Sequence, residues 1–142
     1  MRRNLLALAS ALVVSHPAYS ADNSMKIRLR IENKVLIATL IDNKTARDFI
    51  SLLPLTVTMG DLFRREKYGP LPRALSKGER THSYEVGDIG YWSPGPDVVV
   101  YYRNDGEQMP DPGIILIGKI DSGVEAFNVP GSVKVTIEPA SL

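Results

Sequence analysis

Between Val86 and Gly118 the chain reads V-G-D-I-G-Y-W-S-P-G-P-D-V-V-V-Y-Y-R-N-D-G-E-Q-M-P-D-P-G-I-I-L-I-G. Few folds accommodate such a stretch. Ile89–Trp92, Asp97–Arg103 and Ile114–Ile120 are rich in β-branched and aromatic residues, which favour strands. Gly87-Asp88, Ser93-Pro94-Gly95-Pro96 and Asn104-Asp105-Gly106 are turn signals. Glu107–Gly113 holds two prolines, each of which removes a ladder donor, so it reads as loop. Short strands divided by tight turns predict a sheet protein that closes on itself as a barrel or folds as a sandwich.

The flanks agree. Ile27, Leu29 and Ile31 alternate with Lys26, Arg28, Arg30 and Glu32, the period of a half-buried strand. Asn33-Lys34 reads as a turn into a second, more apolar strand, Val35–Ile41. Ala46, Phe49, Ile50 and Leu53 form one apolar stripe, so Asp42–Leu53 is predicted helical, capped by Asp42 or Asn43, with Thr45 and Asp48 as a capping-box variant. Pro54 ends it. Phe49 reads as core. Leu55–Met59 alternates again. Ser122–Phe127 reads as one helical turn. Val133, Val135 and Ile137 form the inward face of a last strand predicted to pair with the first. Gly118 reads as a break in its strand. The count is seven or eight strands with one or two helices.

Gly60–Arg80 carries Arg64, Arg65, Lys67, Arg73, Lys77 and Arg80 among Gly and Pro breaks. It reads as an irregular or edge segment, more a solvated loop than a basic groove for an acidic ligand.

Composition narrows the function classes. One domain fits 142 residues, and 44% hydrophobic with 23% charged residues is ordinary for a globular chain. A formal charge of +1 gives no field for nucleic acid. The absence of cysteine excludes disulfides, thiolate metal sites and thiol nucleophiles. The first twenty residues read as a secretory signal: Arg2 and Arg3, an apolar run Leu5–Val14, then Ala18-Tyr19-Ser20 before Ala21. Ten apolar residues are too few to cross about 30 Å of hydrocarbon. The expected mature chain, residues 21–142, has 15 basic against 16 acidic residues and is periplasmic or secreted, with no membrane contact after cleavage.

Chemistry is thinner. His82 is the only histidine of that mature chain, and a metal site needs three or four convergent ligands. Ser83 and Asp88 lie near it in sequence, and Asp88 with Asp97 is a possible carboxylate pair, but no G-x-S-x-G elbow occurs. No nucleotide loop or cofactor fingerprint is present, and no metal or cofactor is expected.

The order of elements, with certain residues, resembles the cyclophilin-like fold, and more closely the small bacterial cyclophilin-like family of unassigned function. T-A-R-D-F-I-S-L-L-P is similar to the T-A-x-x-F helix of cyclophilins. G-D-I-G-Y-W at Gly87–Trp92 resembles the small family's signature. I-I-L-I-G-K-I at Ile114–Ile120 resembles the cyclophilin strand ending in F-G-K-V, and Asp121-Ser122-Gly123 follows it. The resemblance spans Lys26 to Pro139 and implies a mainly β, closed cyclophilin-like barrel of about eight strands with one or two short helices. It also raises prolyl cis/trans isomerisation, which must lower a barrier of about 18–20 kcal/mol. That chemistry needs an apolar proline pocket and an arginine that stabilises the twisted amide. The family stretch F-H-R-x-I-x-x-F-x-x-Q has no match between Leu62 and Val86. Its ligand-contacting tryptophan falls on Met109 and its pocket histidine on Ile114. The resemblance therefore points first to a module binding a peptide or small molecule, with Trp92, Tyr102, Arg103, Met109 and Ile114 as candidate ligand residues. Alternation places either Trp92 and Tyr102, or Tyr91 and Tyr101, toward the ligand. The isomerase is the alternative, with Arg64, Arg65, Arg73 or Arg80 as the cation.

Overall fold

The structure, a computed structural model, describes residues 25–140; the expected signal, Met1–Ser20, lies outside them. Strand β1 (Lys26–Ile31) buries Ile27, Leu29 and Ile31 and turns its arginines outward, as the alternation requires. It pairs antiparallel with β2 (Lys34–Leu40), with Ile31 opposite Lys34, so the turn residues are Glu32 and Asn33. Helix α1 (Lys44–Ile50) starts directly after one of the two expected caps and ends three residues short of the predicted Leu53. Asn43 caps it, its side-chain oxygen accepting from Ala46 N at 2.8 Å. Asp48 does not complete a capping box. It accepts instead from Ser76 N and Arg73 Nη2, which strap the 71–80 segment to the helix. Phe49 is fully buried.

β3 (Leu55–Leu62) runs three residues past the predicted strand. β4 (Glu66–Pro70) corrects the reading of Gly60–Arg80 as irregular or edge: it is hydrogen-bonded on both sides, to β3 and to the later strand Asp97–Tyr101. Then follow β5 (Asp88–Trp92), β6 (Asp97–Tyr101), β7 (Ile115–Ile120), a 3-10 turn (Val124–Phe127) and β8 (Val133–Pro139). The order around the closed barrel is β1-β2-β7-β5-β6-β4-β3-β8. β8 lies between β1 and β3, so first and last strands pair, with Leu29 opposite Ile137. Closure leaves the described strands no sheet edge to template association. Gly118 does not break β7. A Cβ there would lie 2.6 Å from Leu40 Cδ2 and 2.8 Å from Thr39 O, so the glycine lets β2 approach. Ile27, Leu29, Ala38, Phe49, Tyr91, Ile117, Phe127 and Val135 are among the residues that fill the interior.

Candidate functional site

The connection Ser93–Pro96 sets which side chains meet. It makes Trp92 the partner of Asp97, Tyr91 of Val98 and Ile89 of Val100. Cross-strand partners share a face. Ile89, Tyr91, Val98 and Val100 therefore point into the barrel, where the Tyr91 hydroxyl accepts from Leu75 N at 3.0 Å. Gly90, Trp92, Asp97, Val99 and Tyr101 belong to the outer face. β4 extends that face, with Tyr68 opposite Val99 and Glu66 opposite Tyr101.

The segment after β6 folds back over this outer face. Met109 N donates to His82 O at 2.8 Å, and the Thr81–Ile114 bridge anchors the far end. Ile114 sits over Gly90: a Cβ on residue 90 would lie 2.5 Å from Ile114 Cγ1. The result is an open, largely apolar cleft of about 280 Å³. Val99, Tyr101, Met109 and Ile114 are buried at its floor. Leu62, Phe63 and Tyr68 stand exposed around it.

Two charged groups are built into the wall. Arg65 and Glu66 are each 5% exposed. Arg65 Nε donates to Glu66 Oε2 at 2.7 Å and its Nη2 lies 2.6 Å from the same oxygen. Nη1 lies 3.5 Å from Asp105 Oδ2. The guanidinium is flanked by the rings of Phe63 at 5.2 Å and Tyr84 at 5.8 Å. Burial pushes the Glu66 carboxyl up, and Arg65 offsets this only in part. Tyr84 stacks on Tyr101 at 4.2 Å, and burial holds the Tyr101 hydroxyl, which donates to Met109 Sδ at 2.9 Å, protonated well beyond the usual range. Asp97 differs. Among the described residues its carboxylate has no hydrogen bond or ion pair, and partial burial alone pushes its carboxyl up.

The rim turn between β3 and β4 is unusual. Phe63 and Arg64 both have positive φ, 58° and 50°, and Arg65 N donates to Leu62 O at 3.1 Å. This mirror-image turn favours Asn-Gly, and bulky residues in it store strain. Arg103 holds it, its Nε donating to Arg64 O at 2.6 Å, with Nη2 3.4 Å from Phe63 O.

Beyond the turn lies a second recess, about 310 Å³, lined by Asp61, Arg64, Tyr102, Asn128, Val129, Pro130 and Gly131. Lys67 is fully buried against it. Its Nζ donates to Asp61 Oδ1 at 3.0 Å, Val129 O at 2.6 Å and Gly131 O at 2.7 Å. The Tyr102 hydroxyl donates to Asp61, and it is pushed up to about 12 by burial and by that carboxylate. Burial works against the Asp61 charge, but bonds from Tyr102, Lys67 and Arg64 N hold its carboxyl below the usual range.

Of the sequence candidates, Trp92, Met109 and Ile114 meet in the first cleft. Tyr102 faces the second recess and Arg103 clamps the turn, because the register pairs Trp92 with the Asp97–Tyr101 face and not with Tyr102. Neither of the two face assignments drawn from alternation describes the cleft, which takes Trp92 from one and Tyr101 from the other. A four-residue Ser93–Pro96 connection read as a hairpin would have given this. Phe63, Tyr68 and Val99 also line the cleft, and nothing local in the sequence marks them. Among the cationic candidates Arg65 lines the cleft, Arg64 lines the second recess and Arg73 binds Asp48. Arg80 has a buried Nη1 without a partner among the described residues.

The hydrolytic arrangements do not form. His82 Nε2 lies 2.9 Å from exposed Asp111 Oδ1, whereas Asp88 accepts from Glu85 N and lies 3.6 Å from Lys119 Nζ. Asp88 and Asp97 sit at opposite ends of the β5–β6 hairpin. Among the described residues no group of three or more His, Asp or Glu side chains is placed to hold a metal.

A closed antiparallel barrel with its cleft on the outer face, rimmed by the β3–β4 turn and the segment before β7, defines a class of small β-barrel domains. The Cyclophilin-like family model matches residues 29–138, and the chain belongs to that family. The solution structure of a hypothetical protein from Archaeoglobus fulgidus is similar in fold, with a TM-score of 0.66 at 24% identity over 84% of this chain and 97% of that one. Among curated proteins no relative matches.

Proposed function

We propose that this domain is an exported binding module that holds an apolar group of a peptide or small molecule in the outer-face cleft. The observation that carries the reading is the cleft itself: open, about 280 Å³, with Val99, Tyr101, Met109 and Ile114 beneath an aromatic rim. Its size lies at the lower end of ligand pockets, suited to one or two side chains. Titration of residues 21–142 with short proline-containing and aromatic peptides, followed by the fluorescence of Trp92, tests it. Saturable changes, lost in Val99→Phe where the floor is filled, support the module. No response across the panel overturns it. Export rests on the amino-terminal pattern, and fractionation of cells expressing the full chain tests it.

A second reading, prolyl isomerisation on exported polypeptides, has one observation in its favour. Arg65 places a guanidinium in the wall of an apolar cleft, although Glu66 occupies two of its N–H groups. A rate above the uncatalysed exchange, abolished in Arg65→Lys, would establish it, because a point charge lacks the planar fork. A flat assay would leave the fold without the activity.

A further inference from the structure

The charge pattern of the cleft names a substrate class, and this inference rests on the binding reading above. Arg65 and Glu66 neutralise each other within the wall. Asp97 is left over. It lines the cleft, half-buried and without a partner among the described residues, directly opposite Trp92 on β5 and diagonal to Tyr68 on β4. A lone carboxylate that shares a cleft lining with two aromatic side chains suits an ammonium or guanidinium, which gains Coulomb attraction from the first and quadrupole attraction from the second. An anionic ligand would meet repulsion there, and a neutral one would leave the carboxylate partly desolvated and unpaired.

The apolar floor runs from Val99 to Tyr101 at the far end of the same strand. Tyr101 is four residues from Asp97 on one face of β6, roughly 13 Å at about 3.3 Å per residue. An extended chain spans that distance with same-face side chains two residues apart, and a basic side chain reaches the remainder. A compact small amine would not fill both ends. We propose that the cleft binds an extended peptide in which a lysine or arginine lies two or three residues from an apolar residue, the basic group at Asp97 and Trp92 and the apolar group over Tyr101 and Met109.

The test compares acetyl-Lys-Ala-Pro-Ala-Lys amide with its Gln and Glu counterparts, and with butylamine, by Trp92 fluorescence at low salt. The Lys peptide should bind about ten-fold more tightly than the Gln peptide, and the Glu peptide more weakly still. In Asp97→Asn the Lys and Gln peptides should bind alike, and Asp97→Glu should restore part of the preference. Equal binding of all three peptides to the native chain would overturn the charge assignment while leaving the binding module standing. Butylamine binding as tightly as the Lys peptide would overturn the peptide. If no peptide binds, both the inference and the reading beneath it fall.

Discussion

Two recesses flank one turn, Phe63–Arg64, and they are built on opposite principles. In the second recess the charges below the rim are answered: Lys67 by Asp61 and two carbonyls, Asp61 by Lys67, Tyr102 and a backbone amide, while only the exposed Arg64 guanidinium at the rim has no partner among the described residues. In the first, the floor is apolar, one ion pair is internal to the wall, and Asp97 is answered by nothing in the described chain. A satisfied buried network fixes structure, since removing any member strands the others. An unanswered charge in an apolar cleft adds no stability to the fold, carries a small desolvation penalty, and is available to a ligand. The adjacent residues Tyr101 and Tyr102 show the contrast most closely, one facing each recess.

Substitutions on either side of the turn can break that contrast. The largest effect belongs to Lys67→Ala, which leaves Asp61 uncompensated and two carbonyls unbonded and should cost about 3–5 kcal/mol. Asp97→Ala, at the other recess, should change stability by no more than about 0.5 kcal/mol. Urea unfolding of both measures the difference, and comparable costs would erase the distinction. Next in size, Tyr102→Phe removes a hydrogen bond to a carboxylate and should cost about 1.5 kcal/mol, whereas Tyr101→Phe loses only a bond to a thioether and should cost less than about 0.5 kcal/mol. Replacing Phe63→Asn together with Arg64→Gly relieves two positive-φ side chains and should raise stability by about 1 kcal/mol. The same change should weaken peptide binding, because Phe63 leaves the rim. A gain in stability without loss of binding would show that the strained turn serves neither recess.

The smallest effect is in pH dependence, where the recesses differ in sign. Asp61 has a lowered carboxyl pKa in the fold, so its contribution is present above the usual carboxylate range, near 4, and is lost as pH falls through the folded value. Asp97 is raised, so the folded chain takes up its proton first, and acidification from neutral pH toward that range relieves a penalty. Unfolding at pH 7, 5 and 3.5 should show the advantage of the native chain over Asp61→Asn shrinking with acid. Against Asp97→Asn, the native chain should improve with acid.

The sequence by itself determined the closed barrel's first and last pairing, the helix with Phe49 inward, and the position of nearly every turn, because those elements bury one face against a generic core and alternation or a 3.6-residue period records that directly. It could not show β4. E-K-Y-G-P has no apolar alternation, since Glu66 and Lys67 are buried with polar partners: the neighbouring Arg65 for one, Asp61, Val129 and Gly131 around the other. The cleft divides in the same way. Trp92 and Met109 are legible together from their places on strand and loop, and Ile114 through the family resemblance. Their junction with Tyr101 and Asp97 instead of Tyr102 and Arg103 was decided by the register across Ser93–Pro96, where a shift of one residue exchanges the two faces of a strand. Which charge is left unanswered is a property of the assembled barrel alone, because only there do residues distant in the chain supply, or withhold, a partner.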